Sequence, residues 1–314
     1  MPNRCACFLT DIGYLFPALL CAIQARTSLQ RETADVVIIL FDSTPQTTEL
    51  FSRICEQNGI ILICADRQIL QGYSAMFARL FLSRILPETY QRVLYLDGDI
   101  QITGALDALI QMELPENCDF AAVPDPMAIE HHISKSGHPE IQSYFDGIGI
   151  KSTPARPYFN SGSLLINRAH WAEIERDTID YLTKSPSTCL FQDQSALNFV
   201  GHRRYAPMSF RWNFPIFFRN CGVESAIAPR VFHFMSRPKP WNGVFLPWNR
   251  SFVDPYTKLI ARYPELQAYS KKMSLKTHAK YLGQQYYKCI VEIIVWRYSS
   301  RRPAILEFEA ATRF

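Results

Sequence analysis

Two carboxylates close a short apolar run: Val93, Leu94, Tyr95 and Leu96 are followed by Asp97, Gly98 and Asp99. Acids two residues apart, pinned where a strand ends, can share one divalent cation, and such a cation can grip a diphosphate. Alone, the pair reads equally well as a solvated turn. Three further blocks carry chemistry. Residues 158–167 run Tyr-Phe-Asn-Ser-Gly-Ser-Leu-Leu-Ile-Asn, a polar turn feeding an apolar strand. Residues 191–198 put Asp193 and Gln194 at a helix start, where Asp193 is alternatively the cap. Residues 233–241 hold an imidazole, His233, with Lys239 and Trp241 in one Pro-flanked segment.

These residues need elements to position them. Apolar runs at 5–9, 35–41, 60–64, 92–96 and 119–123 read as short buried strands. Stretches 16–28, 47–57 and 74–86 have apolar residues at helical spacing. The alternation implies an α/β fold, a Rossmann-like, mostly parallel sheet with helices on both faces. No GxGxxG follows the first run, so the dinucleotide fingerprint is absent. Ligands of such sheets bind beyond the carboxyl ends of strands, where Asp11 and Asp97 both fall. Residues 124–157 hold five prolines and three glycines. A connector this long is a functional lid or a disordered insert, and a lid or acceptor loop is the expectation. His131, His132 and His138 lie in it; a zinc site there lacks a fourth ligand, so they read as solvent-exposed loop histidines.

The chain has 314 residues, 48% hydrophobic and 13% aromatic, enough for one large domain or two modest ones. Its nine cysteines are odd in number and without a CxxC, which fits a reducing compartment, most simply the cytoplasm. The first apolar run is short and ends at Asp11, so no secretory signal peptide is expected. The net charge of +4 is uneven. Residues 271–302 carry eight Lys or Arg and one acid, Glu292, and the remainder holds 25 basic and 28 acidic residues. A balanced main body argues against a general nucleic-acid binder.

The basic segment surrounds Tyr281, Leu282, Tyr286, Ile290, Ile293 and Trp296. Its apolar centre, 289–296, is far short of the about 20 residues that span a bilayer. A basic, aromatic-rich amphipathic segment fits lying on an anionic membrane surface, with about 1 kcal/mol for each Lys or Arg near it. A docked helix with a solvated basic face is the alternative. The expected division is a catalytic unit over 1–250 and a basic helical tail over 251–314.

The four blocks, in this order from about residue 5 to residue 241, resemble glycosyltransferase family 8. The nearest likeness is to bacterial lipooligosaccharide and lipopolysaccharide α-galactosyltransferases and glucosyltransferases. The resemblance implies a GT-A type fold and Mn²⁺ bridging the phosphates of a UDP-hexose, held by Asp97, Asp99 and His233. An imidazole beside two carboxylates tips the choice from Mg²⁺ toward Mn²⁺. The resemblance further places Lys239 on the diphosphate and Thr10, Asp11 and Tyr14 around the uridine, with Gly98 and Ser236 at donor-contact positions. Arg79, in Met-Phe-Ala-Arg-Leu, would reach the sugar and Asp97. Asp125, Asn160, Ser161, Asp193 and Gln194 match residues around the transferred sugar, with Arg79, Asp193 and Gln194 as the catalytic group.

Family members of this type retain anomeric configuration. Gln194 matches the position of a nucleophile, yet an amide is a poor one, and same-face attack is the other route; the residues leave both open. The chain departs from the pattern at Ile12 and Gly13, where many members carry Asp and Asn, at Gly98, where a larger residue is usual, and at Ser236, which replaces a glycine. A serine there would be strained if the backbone had positive φ. The implied activity is retaining, metal-dependent hexosyl transfer from a UDP-sugar to a lipid-linked glycan, on the inner face of the cytoplasmic membrane. The alternatives are a protein or soluble glycan acceptor, or a non-catalytic binding relative.

Overall fold

The structure is a computed structural model that describes residues 2–133, 139–184, 191–271 and 273–312. Ten strands are β1 (Arg4–Asp11), β2 (Asp35–Phe41), β3 (Ile61–Cys64), β4 (Arg92–Leu96), β5 (Ile100–Ile102), β6 (Phe120–Pro124), β7 (Phe159–Asn167), β8 (Tyr205–Pro207), β9 (Phe214–Pro215) and β10 (Val231–His233). Seven form one sheet in the order β3-β2-β1-β4-β7-β6-β8. Its pairings are parallel except for β7, which runs antiparallel to both β4 and β6. The mostly parallel sheet expected from the alternation is therefore present.

Side chains alternate between two apolar layers. Ala6, Phe8, Val36, Ile38, Leu94 and Leu96 face one layer; Cys5, Cys7, Val37, Ile39, Val93 and Tyr95 face the other. This is the period-2 geometry of a strand. Because both faces are covered, the strands read as continuous apolar runs rather than as alternating ones. The Leu15–Ser28 helix packs on the first face through Leu19, Leu20 and Ala22. The Trp171–Lys184 and Gln192–Gly201 helices pack on the second through Trp171, Ile174 and Leu197. Cys5 and Cys7 are buried thiols in β1.

A three-stranded sheet, β5-β10-β9, supplies the rest of the scaffold. β10 runs antiparallel to β5 with His233 opposite Ile100. The chain leaves β4, passes Asp97 and Asp99, and enters β5 at once. The small sheet thus delivers His233 to the acids across 134 residues of sequence.

Two expectations need correction. Residues 124–157 are not a bare loop: they contain the helices Pro126–Ile133 and Pro139–Gly147, whose Ala128, Ile129 and Phe145 are buried in the core. Apolar residues between the prolines suffice to dock two short amphipathic helices. His131 and His132 accordingly sit on a helix, half-buried, against Gln142 (2.6 Å) and Glu307 (3.1 Å). His138 lies outside the described residues. The stretch 74–86 is a 3₁₀ helix, Ala75–Phe81, followed by one α-turn, Leu82–Ile85. In a 3₁₀ helix residues i and i+3 eclipse, so Met76 and Arg79 point the same way, and the Met76 carbonyl accepts from Arg79 Nη2 at 3.4 Å.

The core crosses residue 250. Tyr256, Leu259, Tyr263 and Leu266 are buried in it, as are Ile305 and Phe308 of the Arg301–Ala311 helix. Arg301 grips Glu130 with two 2.7 Å hydrogen bonds, and Glu309 accepts from Ser209 Oγ and the Phe210 amide. Between these anchors the Leu275–Arg297 helix buries only Cys289 and Glu292. Among the described residues no helix is long and apolar enough to cross a membrane.

Candidate active site

Asp97, Asp99 and His233 offer ligand atoms that all lie within 4.8 Å of one another. His233 Nε2 is 3.3 Å from Asp99 Oδ1 and 3.8 Å from Asp97 Oδ2. The backbone fixes both acids: the Asp97 amide donates to the Gly162 carbonyl, and the Asp99 carbonyl accepts from the Phe234 amide. Tyr95 adds its hydroxyl to Asp97 Oδ1. Gly162 keeps the space open. A Cβ on it would stand 2.5 Å from His233 Cε1 and 2.8 Å from Asp97 Oδ2. Only glycine fits there without displacing the ligands.

The register of β7 creates this cradle. Ala122 pairs with Leu164 but Val123 pairs with Asn160, so residues 161–163 bulge out of the ladder with β6 while Ser163 still pairs with Leu96 of β4. A bulge re-aims side chains, here Asn160 and Ser161, toward the end of β4.

A buried hydrogen-bond chain then orients the imidazole. Asp125 Oδ2 accepts from Asn160 Nδ2 (3.0 Å). Asn160 Oδ1 accepts from the Gly162 amide (2.9 Å) and from Asn213 Nδ2 (2.8 Å). Asn213 Oδ1 is left facing His233 Nδ1 at 2.8 Å. An amide oxygen can only accept, so Nδ1 carries a proton, and Nε2, which faces the two aspartates, is the ring nitrogen able to ligate. This second layer behind a ligating imidazole is what a divalent-metal site needs, and the residues fit such an ion.

Lys239 is not a surface lysine. It is buried, with Nζ 2.6 Å from Asp99 Oδ2 and on the Phe234 carbonyl. Burial raises the Asp99 carboxyl, but Lys239 and then His233 outweigh it and hold Asp99 well below the usual carboxylate range. Asp99 therefore stays ionised and able to ligate.

Arg79 is buried and central. Its Nη1 donates to the Ser161 carbonyl (2.8 Å) and Oγ (2.9 Å) and lies 3.4 Å from Asp97 Oδ1; its Nε is 2.9 Å from Asp193 Oδ2. Burial works against the guanidinium charge, and Asp193 and Asp97 together more than restore it. The Arg79 Nε–Asp193 Oδ2 contact is close but not aligned as a hydrogen bond, which leaves both buried atoms unsatisfied. Both residues line a groove, with these two atoms turned to each other beneath its surface. Asp193 is not the cap of its helix, a position taken by Phe191 without a side-chain bond. Burial raises the Asp193 carboxyl against the pull of Arg79, and burial likewise raises Asp125.

Gln194 is fully engaged. Its Oε1 accepts from the Ser161 amide (3.0 Å) and Oγ (3.3 Å), while Nε2 donates to Asp125 Oδ2 (3.2 Å) and the Tyr158 hydroxyl (3.3 Å). Both amide lone pairs are thus committed.

Two adjoining cavities meet at Asp97, Asp99 and Arg79. One, about 480 Å³, is lined by Asp125, Asn160, Ser161, Asp193, Gln194 and His233, and by the apolar Phe191, Phe217 and Met235. The other, about 330 Å³, is lined by Thr10, Asp11, Tyr14 and Gly98. Thr10 and Asp11 do not cap a helix: Thr10 Oγ1 bonds the Asp11 carbonyl, and Asp11 Oδ1 accepts from the Gly13 amide at 2.8 Å. Tyr14 is 40% exposed and meets Trp241 edge-on at 5.6 Å. Gly98 has no positive φ, and a Cβ there would touch Ala18 Cβ at 3.4 Å, an ordinary contact. Ser236 lies on an exposed turn, outside the lining of both cavities, and its φ is not positive, so the feared strain does not arise.

Reading the sequence missed Tyr95, Gly162 and Asn213. Gly162 stands inside a quoted motif and could have been found there. Asn213 follows no signal short of the tertiary register.

The sheet order, the carboxylates at the β4 end and the second small sheet define a GT-A type glycosyltransferase fold. The galactosyltransferase LgtC, solved in complex with donor and acceptor sugar analogs, superposes on 84% of this chain and 99% of its own, with TM-score 0.66 and 19% identity. The chain belongs to glycosyl transferase family 8, whose model matches residues 5–244. Glycosyltransferase GlyE of Streptococcus pneumoniae is 30% identical over 180 residues, 53% of this chain and 37% of its own. Lipopolysaccharide 1,3-galactosyltransferase of Salmonella typhimurium is 26% identical over 223 residues, 63% of each chain. The chain thus spans between about a third and two thirds of the length of these relatives.

Proposed function

We propose that this protein is a retaining, divalent-metal-dependent hexosyltransferase that takes galactose or glucose from a UDP-sugar and gives it to a glycan of the lipopolysaccharide or lipooligosaccharide type. The observation that carries this is the Asp97–Asp99–His233 triad with Lys239 beside it, set where two polar cavities meet. The smaller cavity takes the nucleotide, with Asp11 on the uracil edge and Tyr14 on its face. The larger takes the hexose, among Asp125, Asn160, Ser161, Asp193 and Gln194.

The triad would hold Mn²⁺, with Mg²⁺ as the weaker substitute, and the bound ion supplies Lewis-acid neutralisation of charge on the departing diphosphate. Lys239 adds a fixed buried cation to the same end, where a low dielectric strengthens its effect. Arg79 holds Asp97 and Asp193 in place beside the hexose. Retention proceeds by same-face attack, with the departing phosphate oxygen taking the proton of the acceptor hydroxyl. The commitment of both Gln194 Oε1 lone pairs to Ser161 supports this route over a glycosyl-Gln194 intermediate.

The acceptor approaches past Phe191, Phe217 and Met235, and it is lipid-linked. The Leu275–Arg297 helix supports that assignment. It exposes Tyr286 (62%), Ile290 (40%) and Ile294 (62%) at four-residue spacing, amid Lys276, Lys280 and Lys288. Such a face suits the anionic inner surface of the cytoplasmic membrane. The test is UDP release from a panel of UDP-hexoses with Mn²⁺, in the presence of lipid-linked glycan. Turnover by the wild type that is lost in EDTA and in Asp99→Asn is expected; no turnover with any UDP-hexose contradicts the proposal.

A further inference from the structure

A third cavity, about 520 Å³, adjoins the nucleotide cavity: it shares Asp11 and Tyr14 with it and is lined by Lys239 as well. Its opposite wall does not come from the sheet. Tyr269, Lys271, Ser274, Thr277 and Tyr281 supply it, from the segment that leads into and opens the Leu275–Arg297 helix. Around the point a Cβ on Gly13 would occupy lie Asp11 Oδ1, at 3.0 Å, and Lys271 Nζ, at 3.8 Å, so the carboxylate and the lysine face the same spot of the cavity.

The chemistry of this cavity is specific. Arg237 and Lys271 line it, and neither has a carboxylate in ion-pair contact among the described residues. Tyr14, Phe16, Trp241, Tyr269 and Tyr281 bring five aromatic rings. These two cations beside aromatic faces, with the Asp11 carboxylate the one acid in the lining, suit a ligand with a flat base and phosphate charge. The helix also braces the segment that carries Lys239. A Cβ on Gly243 would meet His278 Cε1 at 3.1 Å, and the rings of Phe245 and His278 are 4.8 Å apart. A segment that offers an apolar face to the outside therefore forms, at its other end, a wall of the groove.

We infer that Lys271 is a nucleotide-binding residue, supplied by the C-terminal segment to the nucleoside diphosphate of the donor. This rests on the donor reading above and adds to it a residue outside the four motif blocks. Its role is electrostatic, so it scales with the charge at position 271.

The test is calorimetric titration of UDP with Mn²⁺ into the full chain, as wild type, Lys271→Ala, Lys271→Glu and Lys280→Ala. Lys280 is exposed on the Leu275–Arg297 helix that follows, outside the cavity lining, and controls for net charge. Lys271 is exposed, so all variants should keep the wild-type melting temperature. Lys271→Ala should weaken UDP about fivefold, the scale of one exposed ion pair, and Lys271→Glu should weaken it further. Lys280→Ala should match the wild type. Wild-type affinity in Lys271→Glu, or equal loss in Lys280→Ala, overturns the inference while leaving the donor reading intact. A wild type that does not bind UDP overturns both.

Discussion

Asn213 Oδ1 sits 2.8 Å from His233 Nδ1, and this contact decides which ring nitrogen faces Asp97 and Asp99. The amide cannot turn over, because its nitrogen is held by Asn160 Oδ1, itself fixed by the Gly162 amide and by Asp125. Removing Asn213 should release the ring. In Asn213→Ala, Mn²⁺ affinity should fall about 10- to 100-fold, the usual cost of losing a partner behind a metal ligand. Nitrogen-15 spectra of labelled histidine should show His233 as the Nδ1–H tautomer in the wild type and lose that signature in the variant. An unchanged tautomer and unchanged affinity would rule the chain out as a positioning device.

Gly162→Ala puts a methyl group 2.5 Å from His233 Cε1 and 2.8 Å from Asp97 Oδ2. Relief requires moving a buried ligand, and overpacking of this kind costs about 1–3 kcal/mol. A lowered melting temperature with Mn²⁺ binding lost is expected by thermal shift and metal titration. By contrast Gly98→Ala, whose Cβ would meet Ala18 at 3.4 Å, should bind Mn²⁺ as the wild type does.

This contrast shows what could be read from sequence. Strands ending at Asp11 and Asp97 were legible because both faces of the sheet are buried and the runs are apolar throughout. Asp97, Asp99, His233 and Lys239 were legible by motif. The reason for glycine at 162 and the role of Asn213 were not, since both follow from a register shift between Ala122 and Val123 and from pairing across β5 and β10. Prolines suggested a loop over 124–157 because they stop helices, but here Pro126 and Pro139 begin them, where a missing N–H costs nothing. Lys271 was read only as part of a basic tail; its place beside Gly13 depends on how that tail folds back.

If Gln194 Oε1 is occupied by Ser161, no hexose should become attached to it. Intact-mass spectrometry of the protein with UDP-hexose and Mn²⁺, without acceptor, should show no added hexose. A persistent adduct mapped to Gln194 would contradict same-face attack.

Burial raises the Glu292 carboxyl above its ordinary 4.5, against the pull of Asn220, Lys288 and Arg301. A carboxyl raised in the folded state contributes stability that is fully present below the unfolded value and is lost as pH rises through the folded value. Glu292→Gln removes that dependence and keeps an acceptor for Asn220 Nδ2. The variant should therefore gain in melting temperature relative to the wild type as pH goes from 4 to 8. A gap that is constant or shrinks with pH would contradict the assignment.

The exposed face of the Leu275–Arg297 helix can be tested without truncation, which would strip Ile305 and Phe308 from the core. Tyr286→Ser, Ile290→Ser and Ile294→Ser combined should leave folding intact and reduce co-sedimentation with phosphatidylglycerol vesicles severalfold. Undiminished partitioning would remove the support for a lipid-linked acceptor.

The metal and the nucleotide are proposed to share one site, and thermal shift with a panel of UDP-hexoses, with Mn²⁺ and with EDTA, tests this most directly. A stabilisation by UDP-galactose or UDP-glucose that appears only with Mn²⁺, and disappears in Asp97→Asn and Asp99→Asn, is the predicted result. An equal shift in EDTA, or none with any UDP-hexose in Mn²⁺, would contradict it.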